Sequence, residues 1–145
     1  LKPEKDLTKE EWRRVEETLS GIYGLVRLKV DGHEVTLSRT LIDKNRLGVS
    51  VYVDGFIKGI WIGPKNDHPE QRYLCPRDRF KFSKKIRDFE KKTIKKLGKR
   101  RAKEMGISDP DEKVRFYSHR FPSGAAVRRH YQKTFKSIEL VECGY

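Results

Sequence analysis

Cysteine is scarce in this sequence of 145 residues: Cys75 and Cys143 stand alone, with no repeated spacing. A disulfide framework is thereby excluded. One bridge is arithmetically possible, but a chain of this length can build a core without it, so a reducing, cytoplasmic or nucleic-acid-associated location is expected rather than secretion. Long apolar runs are missing too. None approaches the roughly 18 to 20 residues that cross a bilayer, so no membrane partner is expected. Metal-ligand spacings are absent: His68 and Cys75 share a loop, but two ligands fall short of the three or four zinc needs, and neither C-x-x-C nor H-E-x-x-H occurs. No G-x-x-x-x-G-K-[ST] or G-x-G-x-x-G cradles a phosphate, and no cofactor is expected. The chain opens Leu1-Lys2-Pro3-Glu4-Lys5 rather than with Met, which fits a fragment, a trimmed chain or a processed product.

Acidic residues are missing from one region in particular. Lys and Arg number 34 against 21 Asp and Glu, a net charge of +13. From Leu1 to Pro76 the balance is only +1, whereas Arg77 to Glu104 carries +10. Met105 to Glu112 contributes −3, Lys113 to Lys136 has seven basic residues and no acidic one, and the last nine residues carry −2. An excess confined to two segments points to a polyanionic partner, where a solvated face would mix signs.

Fifteen aromatic residues and many β-branched ones, set in regular patterns, exclude wholesale disorder. Thr8-Lys9-Glu10-Glu11 reads as a capping box opening a helix to about Leu19, with Trp12, Val15 and Leu19 on its buried face. Four strands of an antiparallel meander follow: Ile22–Val30, His33–Leu41, Leu47–Val53 and Phe56–Ile62. Asp31-Gly32 and Asp54-Gly55 mark two-residue type I′ turns, pairing Val30 with His33 and Val53 with Phe56. The second sheet face bears Tyr23, Leu25, Arg27, Lys29, Tyr52, Ile57 and Trp61. Aromatics beside cations suit base stacking, but apolar groups on both faces favour a covering helix. Residues 63–79 form a long loop marked by Gly63-Pro64, Asn66-Asp67, His68-Pro69 and Cys75-Pro76.

Ser83 caps a long helix to about Met105, with Phe82, Ile86, Phe89, Thr93 and Leu97 as its core stripe and lysines opposite. After the turn at Ser108-Asp109-Pro110-Asp111, residues 113–119 read as a strand. Ser123 caps a helix to about Lys133. Residues 137–143 close as a strand whose alternation slips after Leu140. The fold class is α+β: a four-stranded antiparallel meander flanked by helices, with a C-terminal β-α-β addition. It is read as one domain of segments 1–76, 77–105 and 106–145. The helix–sheet–helix order, with Ser83-Lys84-Lys85 opening the second helix, loosely resembles double-stranded RNA-binding domains; the four strands and the C-terminal addition depart from that pattern.

The function these features favour is nucleic-acid binding, DNA or RNA, through phosphates and with low sequence specificity, because lysines outnumber the base-reading side chains. The contacts are assigned to Lys84, Lys85, Lys91, Lys92, Lys95, Lys99, Arg100 and Arg101, with Arg115, Arg120, Arg128 and Arg129 as a second patch. One competing reading is a protein-interaction or inhibitor module that docks a basic face onto an acidic protein or nucleoprotein complex. Another is a small nuclease using Tyr117, His119, Arg120 and His130, with Asp109, Asp111 and Glu112 as its nearest carboxylates. No base is paired with a nucleophile by spacing, so no catalytic residue is assigned. A cysteine nucleophile at Cys75 would draw on Arg72, Arg77 and Arg79; an inert thiol is the simpler reading.

Overall fold

The computed structural model describes residues 3–62, 68–107 and 109–144. Gly63-Pro64, Asn66-Asp67 and Ser108, read above as turn residues, lie outside them. The elements in chain order are α1 (Lys9–Ser20), β1 (Leu25–Val30), β2 (His33–Asp43), β3 (Arg46–Val53), β4 (Cys75–Phe80), α2 (Lys84–Leu97), α3 (Lys99–Glu104), β5 (Lys113–Ser118), β6 (Arg120–Phe121), α4 (Gly124–Thr134) and β7 (Ile138–Gly144). Short 3-10 turns lie at Gly59–Trp61 and Pro69–Tyr73. Among the described residues the fold is α+β, with a five-stranded antiparallel sheet, a two-stranded one and four helices. The segments read as one domain divide into two compact units: unit 1 is Leu1–Pro76 with Tyr117–Tyr145, and unit 2 is Arg77–Phe116.

In unit 1 the capping box forms, with the Glu11 N–H donating to Thr8 Oγ1 at 3.1 Å and the Thr8 N–H to Glu11 Oε1 at 2.9 Å. The chain then enters β1 through Gly24, where a Cβ would lie 1.8 Å from the Thr18 carbonyl oxygen; only glycine lets strand and helix end approach so closely. Both Asp-Gly pairs adopt positive φ at each position, 46° and 86° in the first and 52° and 83° in the second. The first sets Val30 opposite His33. The turns are also tied down by their aspartates: Asp31 Oδ1 accepts the Ser137 N–H, and Asp54 accepts the Glu34 N–H and contacts His33 Nδ1 at 2.7 Å. The His33 hydrogen bond holds the Asp54 carboxyl below its ordinary range.

The sheet runs in the order β6-β3-β2-β1-β7. Val26, Leu28 and Val30, Val35 and Leu37, and Val49, Val51 and Val53 are buried on one face, in a single cluster with Trp12, Val15 and Leu19 of α1 and Val127 and Tyr131 of α4. The slip in alternation after Leu140 is a register shift: Leu140 faces Leu28 while Glu142 faces Arg27, leaving Val141 as the extra residue.

Two expectations about this unit are corrected. The fourth meander strand does not form. The Val53–Phe56 bridge closes the second turn, after which Gly59–Trp61 coils into a 3-10 turn and leaves Phe56 and Ile60 exposed. The free edge of β3 goes instead to β6, which pairs Phe121 with Val49 and Arg120 with Ser50. The second sheet face, moreover, is not covered by a helix of unit 1, because α1 and α4 feed the same core cluster. Trp61, assigned to that face, is buried in the core. Arg27 lies in the open face and makes ion pairs with Glu142 and Glu34 at 3.3 and 3.9 Å.

Two buried tyrosines lock the core. Tyr131 donates its hydroxyl proton to the Tyr73 carbonyl at 2.8 Å, and the Tyr73 hydroxyl donates to the Val30 carbonyl at 3.0 Å. Burial pushes the Tyr73 phenol up to about 12 and the Tyr131 phenol well above its ordinary value. Both folded values lie above the unfolded one, near 10. The stability they contribute is thus fully present below pH 10 and lost as pH rises through 12. In an alkaline titration followed by tyrosinate absorbance, these two phenols are expected to ionise only together with loss of tertiary circular dichroism. Smooth ionisation of all six tyrosines in the folded protein would contradict this.

Unit 2 pairs β4 with β5 as a two-stranded ribbon, closed by the Lys81 N–H donating to the Glu112 carbonyl at 2.8 Å. The single long helix expected from Ser83 to Met105 is broken at Gly98. That residue takes φ 87°, ψ 153°, outside the helical region, and accordingly ends α2 and starts α3.

Candidate nucleic-acid interface

The orientation of α2 decides which of its side chains meet solvent. Ser83 caps it, accepting the Ile86 N–H at 3.4 Å. No α2 residue is fully buried. The half-sheltered positions include Arg87, Glu90, Ile94 and Leu97, a helical row at i, i+3, i+7 and i+10. Of the expected core stripe, Phe82, Thr93 and Leu97 are half-sheltered, whereas two members face outward: Ile86 is 46% exposed and Phe89 71%. Arg87 anchors the sheltered side. Its guanidinium sits 3.7 Å from the Phe80 ring centroid, its Nε donates to the Phe82 carbonyl at 3.2 Å, and Asp111 lies 3.9 Å away. A cation stacked on an aromatic face and partly screened from water favours turning this side of the helix inward.

With the helix set this way, the basic residues separate into two groups. Lys91 contacts Asp111 at 3.0 Å, Arg100 pairs with Glu104 at 3.7 Å, and Arg115 donates to Asp78 at 3.1 Å. The Arg115 hydrogen bond holds the Asp78 carboxyl below its ordinary range. Lys84, Lys85, Lys92, Lys95, Lys99 and Arg101 are exposed and form no ion pair among the described residues. Lys96, omitted from the sequence assignment, is also exposed. Unit 2 as a whole holds sixteen basic and seven acidic side chains, a net of +9. Lys84 and Lys95 are eleven residues apart, about 16 Å along the axis, so the open cations line a helix-length face. Beside α3, Ile94, Ala102, Ile107 and Pro110 line an open depression of about 480 Å³ rimmed by Lys99, Lys103 and Asp109.

The second patch is not gathered in this way. Arg115 belongs to unit 2, the other three to unit 1. Arg120 is half-buried and reaches the Ile42 carbonyl at 3.5 Å, and Arg128 lies 3.6 Å from Glu16, joining α4 to α1. Arg129 remains open to solvent. Residues named for the nuclease reading are held in packing contacts. His130 Nε2 lies 2.8 Å from the Arg72 carbonyl, and its ring is tilted against Phe121. Burial, with Arg120 second, holds His119 below its ordinary pKa and so neutral at pH 7. Asp111 and Glu112 pair with lysines, Glu112 with Lys81 at 3.7 Å. Among the described residues no cluster of three His, Cys, Asp or Glu could hold a metal ion, and no helix is long and apolar enough to cross a membrane.

The Ser83-Lys84-Lys85 run, on which the likeness to double-stranded RNA-binding domains rested, belongs to unit 2, whereas the second helix in the unit 1 core is α4. Comparison with protein-family models, curated proteins and solved structures gave no significant match.

Proposed function

We propose that this protein binds nucleic acid through the phosphate backbone, using the open cationic face of α2 and α3, with low sequence specificity. The observation that carries the reading is the row of exposed lysines on α2, interrupted on that face by Asp88 alone, within a unit of net charge +9. Such a face neutralises several phosphates at once, and the released counterions drive association. The two central contact types differ in what they read: lysine reaches phosphates as a point charge, whereas base discrimination wants bidentate arginine or amide side chains. A second reading, docking onto an acidic protein, draws on Ile86 and Phe89, which are exposed beside the cations.

Salt separates binding from no binding. With about six phosphates neutralised on a duplex, the log–log slope of affinity against salt is expected near −5, a loss of roughly a thousandfold between 50 and 200 mM. Fluorescence anisotropy on single- and double-stranded DNA and RNA at two salt concentrations measures it. If no polynucleotide binds even at the lower concentration, the reading fails and the acidic-protein one takes its place.

A further inference from the structure

We infer that Phe89 is a base-stacking platform and that unit 2 therefore prefers single-stranded to double-stranded nucleic acid. The inference rests on the phosphate-binding reading above and names its substrate class. Phe89 is the most exposed ring in unit 2, at 71%, on a helix whose sheltered row is occupied by other residues. On one side its helical neighbours are Lys85 at i−4, Lys92 at i+3 and Lys96 at i+7, all exposed; on the other are Ile86 at i−3 and Thr93 at i+4. The remaining rings of the unit are differently placed. Arg87 and Lys113 lie over Phe80, Lys81 over Phe82 and Arg79 over Phe116. Among the described residues no cation lies over Phe89, so its face is open to a ligand.

An exposed ring flanked by lysines has a use on one kind of polyanion. In a duplex the π-faces of the bases are stacked on one another, and a helix tracking phosphates meets only hydrated anions and base edges. On a single strand each base presents a face, and aromatic stacking adds to backbone neutralisation without reading sequence. The spacing suits this division of labour: a base on the ring leaves the phosphates on either side of it within reach of lysines a turn away in both directions.

The test compares wild type, Phe89→Ala and Phe89→Trp by anisotropy on a labelled oligothymidine and on its duplex with oligoadenine, with sedimentation run in parallel. Phe89→Ala is expected to weaken single-strand binding about tenfold while duplex binding changes by less than about twofold. Phe89→Trp should retain the single-strand affinity and show indole quenching on oligothymidine only. Phe89 lies outside the core, so both variants should keep wild-type circular dichroism. Equal losses on both substrates, or none on the single strand, overturn the inference while leaving the phosphate reading intact. So does a shift from dimer to monomer in Phe89→Ala, which would assign the ring to a second copy of the chain. Absence of binding to either substrate in wild type removes the phosphate reading itself.

Discussion

Charge reversal of Lys84, Lys92 and Lys95 to glutamate, made together, is expected to lower nucleic-acid affinity by about 10² to 10³ at 0.1 M salt and to flatten the salt slope by about three. Each neutralised phosphate contributes roughly 0.9 to the slope, so losing three contacts accounts for both changes. The three side chains are exposed and form no ion pair among the described residues, hence no folded-state contact is lost with them. Asp88, four residues from both Lys84 and Lys92, would meet a like charge on each side at a cost of about 0.2–0.5 kcal/mol apiece, while the effects on the helix dipole nearly cancel. A glutamate at Lys84, in the first turn of α2, favours the helix dipole by a few tenths of a kcal/mol, and one at Lys95, in the last turn, opposes it by a similar amount. Lys91 is left unchanged on purpose: it contacts Asp111 at 3.0 Å, and a glutamate there would set two carboxylates together and confuse loss of binding with loss of structure. Anisotropy with circular dichroism on the same samples decides. Unchanged affinity in a folded triple variant would move the binding surface away from α2.

The sequence carried most of unit 1 and misplaced two members of the buried face of α2, for different physical reasons. Thr8-x-x-Glu11, the two Asp-Gly turns and the slip after Leu140 are local signals whose geometry follows from backbone preference, and each appears as a cap, a turn or a bulge. Strand β6 has two residues, too short for any period to register, and exists because β3 offers it an edge. Alternation makes Trp61 part of a strand, yet the chain coils into a 3-10 turn at Gly59–Trp61 and carries the indole into the core. For α2, periodicity assumes that the apolar row is the buried row. The contact that competes with it, Arg87 on Phe80, joins a cation to a ring across the turn before the helix, and no hydrophobic pattern encodes that pairing. Charge location was legible for the same reason that its distribution was not: composition places basic residues along the chain, while Lys91–Asp111 is a contact made through space.

Tyr131→Ala is expected to cost unit 1 about 3–5 kcal/mol, a large share of the roughly 5–15 kcal/mol that holds a domain folded. The ring is fully buried where α4 meets the 3-10 turn and β6, edge-on to Tyr73, Phe121 and Phe135 at centroid distances of 6.4, 6.1 and 5.0 Å. Truncation removes those contacts and leaves a void that close packing cannot fill. It also deprives the Tyr73 carbonyl of the Tyr131 hydroxyl. Tyr131→Phe isolates this second part: the ring stays, the donor goes, and a loss of about 1–2 kcal/mol is expected. Because the Tyr73 phenol is in turn bonded to the Val30 carbonyl, Tyr73→Phe should cost a similar amount, and the double phenylalanine variant should lose less than the two single losses added. Urea unfolding followed by tyrosine and tryptophan fluorescence gives all four values. A Tyr131→Phe loss as large as that of Tyr131→Ala would mean that the hydroxyl chain, rather than ring packing, joins α4 to the sheet.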